Sequence, residues 1–139
     1  YLDRVETDWA FRIQLPIGSR VPFHCTASGK TFLANFPMAK LKSFLATLHL
    51  QAMTKNTHVS TATLLAEIAQ VRKNGYALDQ EEFMDDMVAI AVPVTDPKNR
   101  YIAALAFHGP TQRVNIPDAI KSKDLLQSAA RRISESLFA

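Results

Sequence analysis

The stretch His24-Cys25-Thr26-Ala27-Ser28-Gly29-Lys30 carries the residue types most able to do chemistry in this chain. A segment punctuated by Gly18 and Pro22 leads into it, and Thr31 to Phe36 continue it as a helix. Thr26 is a good N-cap, and the small residues after it leave the first N–H groups of the helix uncrowded. Such a start offers unpaired donors and partial positive charge, which suits a carboxylate; the plainer alternative is a capped helix without a ligand. Cys25 beside His24 invites a nucleophilic reading. A thiol nucleophile needs a base aimed at it, however, and neighbours at a loop–helix junction point different ways, so Cys25 reads as a structural thiol. Asp79-Gln80-Glu81-Glu82 is a second concentration of ionisable groups, and Glu81 and Glu82 read as a solvated turn. Lys30 is expected to face solvent from its helix and is left out of the site. His24, His49, His58 and His108 are too scattered for a metal motif, and no cofactor is implied.

The elements that must position these residues follow from periodicity. Tyr1 to Glu6 and Phe11 to Leu15 read as short strands around a turn at Thr7-Asp8-Trp9. Helices are expected from Thr26 to about Phe36, over Met38 to Leu48, and from a Ser60 cap to Gly75, whose type suits a left-handed C-terminal position. The period then becomes two. Tyr76 to Asp79 is a short extended arm, and Met87 to Thr95 and Tyr101 to His108 form a hairpin about Asp96-Pro97-Lys98-Asn99, stopped by Gly109-Pro110. A last amphipathic helix starts near Ser122, with Leu125, Leu126, Ala129, Ala130, Ile133 and Leu137 inward. This order predicts an α+β fold, an antiparallel sheet with helices packed on it. One hairpin face carries Ala89 and Ala91 on one strand and Ala104 and Ala106 on the other, which signals either a closely packed helix or a cavity, and close packing is favoured. His108 continues that face.

Bulk properties bound the rest. The 139 residues fit one domain, and 47% hydrophobic with 21% charged residues is a globular balance that argues against disorder. The net charge of +3 and pI of about 9.2 are too weak and scattered to argue nucleic-acid binding; Arg72-Lys73, Lys121, Lys123 and Arg131-Arg132 read as solvated surface. A single cysteine excludes an intramolecular disulfide and fits a reducing, cytoplasmic setting. No apolar run reaches bilayer length, so no membrane partner is expected.

Four blocks, Gly18 to Lys30, Val71 to Glu82, Ile90 to Asp96 and Ala103 to Arg113, occur in the order and spacing of one family. Together they resemble the ligand-sensing domain of the isocitrate-lyase-regulator (IclR) family of bacterial transcription factors. The resemblance implies a GAF-like sensor fold spanning residues 1–139. It also implies an N-terminal winged helix-turn-helix outside this chain, through which alone DNA would be bound, and a domain that lacks its opening helix and strand here. It implies a small organic-acid effector, assembly into homodimers or homotetramers, and no enzymatic activity.

Carried over position by position, the family's ligand contacts fall on Ala27 and Ser28, with Gly29 beside them, on the acidic residue Asp79, and on Ala89, Ala106 and His108. Ala89 stands where one branch has Cys, and Ala106 and His108 stand where acid-binding members often have Ser. A glycine usual ahead of the first hairpin strand is Asp86 here. Losing the hydroxyls makes the cavity roomier and more apolar, while His108 adds a polar group that a proton could make cationic. The expected ligand is an aromatic or medium-chain carboxylate rather than a two-carbon oxoacid. Two other readings stay open: a small GAF-like enzyme using Cys25 or the Asp79 to Glu82 segment, and a sensor fold that only assembles subunits.

Overall fold

The computed structural model describes residues 1–10 and 12–139. Thr26 sits in extended backbone (φ −111°, ψ 146°) and accepts the Gly29 N–H on its side chain, which starts α1 (Ala27–Ala34). Pro37 stands at the N-cap of α2 (Met38–Ala46). Ser60 caps α3 (Thr61–Asn74) by accepting from Thr63, and Gly75 ends that helix in the left-handed conformation (φ 77°). Three strands follow, β1 (Ala77–Gln80), β2 (Met87–Thr95) and β3 (Tyr101–Pro110), then the helices α4 (Ile116–Lys121) and α5 (Lys123–Phe138).

The strands form an antiparallel sheet in the order β1-β2-β3. Asp96 closes the β2–β3 hairpin: its side chain accepts the N–H groups of Lys98 and Arg100, and Asn99 takes the left-handed turn position (φ 62°). Each sheet face is covered. On one face Ala27 of α1 rests against Ala89 and Ala91, with Ala104 and Ala106 beside them. On the other, Val92 and Val94 meet Ala130 and Leu126 of α5, and Val88 and Ile90 meet Val114 and Ala119. A third apolar cluster, Leu33, Leu41, Leu45, Leu64 and Ile68, binds α1, α2 and α3 together. The small-residue face is therefore explained by close approach of α1, since only alanine-sized side chains let a helix start sit that near a sheet.

Four details differ from the sequence reading. No strand forms among the described residues of 1–15; the Tyr1 carbonyl accepts from Gly18 (2.8 Å), so this segment folds back on its own loop instead of joining the ladder. Phe11, with which the second of those strands would open, lies outside the described residues. Strand β3 runs on through Gly109 and Pro110, which pair with Val88 and Met87. Helix α4 goes unread because its six residues are too few to show a period; Asn115 caps it by accepting from Asp118. In α5 only one stripe is inward: Leu126 and Ala130 pack, while Leu125, Ile133 and Leu137 are exposed.

Candidate functional site

Two candidate half-sites meet where α1 packs on the sheet, Ala27 resting against Ala89 and Ala91. The first is the α1 start. Its opening N–H groups have no intrahelical acceptor. Thr26 satisfies that of Gly29 at 3.0 Å, which leaves those of Ala27 and Ser28 as the donors. Gly29 serves the packing instead. A Cβ there would lie 2.5 Å from both the Cα and the carbonyl oxygen of Phe23, so glycine lets the entering loop close over the helix.

The second half-site is a single cross-strand row. Asp79 pairs with Ala89, and Ala89 pairs with His108, so the three side chains share the face that α1 covers. The next row places Ala77, Ala91 and Ala106 side by side. With strands about 5 Å apart, Asp79 and His108 flank Ala89 across about 10 Å. Asp79 is 4% exposed, and its Oδ1 accepts the N–H groups of Glu82 (2.8 Å) and Phe83 (3.4 Å). Burial pushes its carboxyl up to about 7; the Glu82 N–H opposes that rise, the Glu82 charge adds to it, and Lys30 lowers it. His108 is hydrogen-bonded through Nε2 to the Tyr1 hydroxyl (3.1 Å), and the two rings stack. Burial pulls its pKa down to about 4, so of the two forms left open for His108, polar neutral or cationic, the neutral ring is the one present at physiological pH.

Behind Asp79 lies a buried ion cluster that overturns two readings. Lys30 does not face solvent: it is fully buried, with Nζ donating to Glu82 at 2.8 and 2.9 Å and to Glu67 at 2.9 Å. Glu82 is not part of a solvated turn but 3% exposed, and the Thr57 hydroxyl donates to its carbonyl. His58, Glu67 and Glu82 bring three metal-type ligand atoms within 4.8 Å of one another, yet the Lys30 ammonium already bonds both carboxylates. Helical spacing carried a sign of this: Lys30 falls three residues after Ala27 and three before Leu33, both buried. Nothing in the sequence marked Glu67, or Tyr1 as the partner of His108.

The other chemistry-bearing residues stand apart. His24 turns its Nε2 to the Gln51 carbonyl (2.8 Å), away from service as a base for Cys25. Burial pushes the Cys25 thiol up to about 12, so it stays protonated and inert. Two open grooves occur elsewhere, one lined by residues including Asn56, His58 and Glu82, the other by residues of β2 and α5; neither is lined by Ala27, Ala89, Ala106 or His108.

The family model described as the C-terminal domain of the bacterial transcriptional regulator IclR matches residues 1–135. The chain belongs to the IclR family. It is 42% identical over 116 residues to the probable transcriptional regulator SauR of Cupriavidus necator, an alignment that covers 84% of this chain and 46% of SauR. Its structure is similar to that of the Thermotoga maritima IclR, with a TM-score of 0.90 at 30% identity, covering 99% of this chain and 56% of the other. It is also similar to a double mutant of the PobR inducer-binding domain from Acinetobacter in complex with 3-hydroxybenzoic acid, with a TM-score of 0.82 at 29% identity, covering 89% and 73%. The chain thus spans about half the length of the curated relatives it matches.

The matched relatives are named transcriptional regulators or repressors, which supports a regulatory, non-enzymatic role for this domain. The α+β architecture, with helices on both faces of an antiparallel sheet, is that of the family's C-terminal domains. The glycine usual ahead of the first hairpin strand also has its reason here: Asp86 occupies a left-handed position (φ 60°), which glycine adopts freely and aspartate tolerates.

Proposed function

We propose that this domain senses an organic acid with an apolar body and passes the occupancy of its site to a DNA-binding module elsewhere in the whole protein. The observation that carries the reading is the juxtaposition of the free N–H groups of Ala27 and Ser28 with the row Asp79, Ala89, His108. In this arrangement the ligand carboxylate accepts from Ala27 and Ser28. Its body takes the alanine face of Ala89 and Ala106, which α1 yields by drawing back from the close packing of Ala27, and no hydroxyl there offers a bond. Asp79, protonated for part of the time near neutral pH, donates to the acid or accepts from a ligand hydroxyl. His108, neutral and already bonded to Tyr1, closes the far end as an aromatic wall. Gly29 contributes by admitting the loop, not by donating. The complex of the PobR domain with 3-hydroxybenzoic acid, a ring-bearing carboxylate, supports the same chemical class here.

Coupling to DNA affinity requires the ligand to favour one arrangement of the whole regulator over another. Assembly into dimers or tetramers and a cytoplasmic setting belong to the same reading.

A thermal-shift panel of glyoxylate, pyruvate, hexanoate, benzoate and 3-hydroxybenzoate tests the ligand class, since a ligand that binds only the folded state raises its melting temperature. The larger acids are expected to stabilise the domain. Stabilisation by glyoxylate or pyruvate alone would contradict the apolar-body reading.

A further inference from the structure

Lys30 has no exposed surface, yet it lies on α1 one turn beyond the free N–H groups of Ala27 and Ser28. An ammonium stripped of water costs several kcal/mol unless other bonds replace its hydration. Here two oxygens of Glu82 and one of Glu67 replace it. Glu82 in turn holds the other half-site, because its own N–H donates to Asp79 Oδ1 at 2.8 Å. Its carbonyl is pinned by the hydroxyls of Thr57 (2.6 Å) and Thr54 (3.4 Å). One continuous path therefore runs from the α1 start through Lys30 and the Glu82 side chain to the Glu82 backbone and Asp79. Glu67 ties the same ammonium to α3. Replacing a whole buried ion pair by apolar side chains of similar volume is often neutral for stability, so packing alone does not call for the charge pair. What the pair adds is direction: charge-assisted hydrogen bonds hold the joined groups at one spacing.

We propose that Lys30 and Glu82 are positioning residues for the acid site, their buried ion pair locking the first turn of α1 to the loop that holds Asp79 and so setting the distance between the two half-sites. The claim rests on the acid-site reading above. The pair also acts on Asp79 electrostatically, and in opposite senses: Lys30 lowers its pKa and the Glu82 charge raises it. The other ionisable groups facing Asp79 are Cys25 ahead of α1, Tyr1 from the first segment and His108 on its own row; Glu67 and His58 stand behind the pair. Cys25 and His108 are uncharged at neutral pH, which leaves Lys30 and Glu82 as the charges that set the balance.

The test uses the 139-residue chain as Lys30→Met and Glu82→Gln, with three readouts. In amide exchange without ligand, both variants are expected to speed exchange at the hydrogen-bonded amides of Gly29, Lys30, Glu82 and Phe83 at least tenfold more than at the core of β2. Uniform acceleration, or none, would overturn the lock. In carbon NMR titration, the Asp79 midpoint is expected to rise in Lys30→Met and fall in Glu82→Gln; no movement, or movement the same way in both, would overturn the electrostatic role. A merely structural pair would lower the melting temperature and move neither. Should Lys30→Met not fold, the double variant Lys30→Met/Glu82→Gln, which leaves no unpaired charge at Glu82, is expected to show the fast exchange with an Asp79 midpoint near that of the unaltered chain. The third readout is affinity for benzoate, expected to fall at least tenfold in both single variants. If the unaltered chain binds no acid of the panel, the acid-site reading fails, while the first two readouts still decide the positioning claim.

Discussion

Asp79 and His108 share one row of the sheet and respond to burial in opposite ways. Between about pH 4 and 7 an unfolded chain has Asp79 ionised while the folded chain keeps it protonated. The folded state then carries the extra proton, and stability falls as pH rises. Between about pH 4 and 6.5 an unfolded chain has His108 protonated while the folded chain keeps it neutral, so this contribution grows as pH rises. The two slopes cancel where they overlap. We expect a stability profile nearly flat from about pH 4 to 6.5, falling above that as Asp79 alone still differs between the states. His108→Gln should unmask the Asp79 slope, a loss of about 1 kcal/mol per pH unit, and Asp79→Asn should unmask the opposite rise. Urea melts at closely spaced pH values measure both; parallel profiles in all three proteins would contradict the assignment. The same proton matters for the ligand: affinity for a carboxylate should weaken as pH passes through about 7, and Asp79→Asn should remove that dependence.

At the scale of elements, α5 shows how an amphipathic pattern overstates what is buried. The sequence offers six inward candidates, but a helix lying on a narrow sheet contacts it along one stripe. Leu126 and Ala130 take that stripe, and the Ser134 hydroxyl donates to the Thr95 carbonyl at 2.5 Å. Leu125 is 75% exposed and Leu137 60%. Leu126→Ala should therefore cost about 2 kcal/mol, and Leu125→Ser should stay within about 0.5 kcal/mol of the unaltered chain. Denaturant melts distinguish the two, and equal losses would mean that α5 sits in another rotation. The same limit hid α4, too short to show a period, and made strands of residues 1–15. An alternating pattern says which side chains could share a face, but a strand also needs a neighbour for its backbone. In contrast, Thr26, Ser60 and Gly75 were legible because caps depend on one or two residues and their immediate backbone.

Across the whole molecule, the family resemblance named the candidate residues of both proposed half-sites but not the ion cluster that joins them. The hairpin register followed from alternation about the Asp96 turn, and it brings Ala89 opposite His108. The Lys30–Glu82–Glu67 cluster escaped notice because its members are 37 and 52 positions apart and each residue type is ordinarily solvated. Only the packing of α1 and α3 around the loop after β1 makes such a cluster affordable in a buried place. On the proposed reading the molecule divides into a sheet that would carry the ligand floor, a helix start that would carry the anion donors, and an ion pair between them. The most direct measurement is a backbone-amide NMR titration of the 139-residue chain with benzoate. Saturable shifts at Ala27 and Ser28, accompanied by Asp79, Ala89 and His108, are predicted. Shifts confined to the grooves beside His58 or along α5, with Ala27 and Ser28 unmoved, would contradict the acid site.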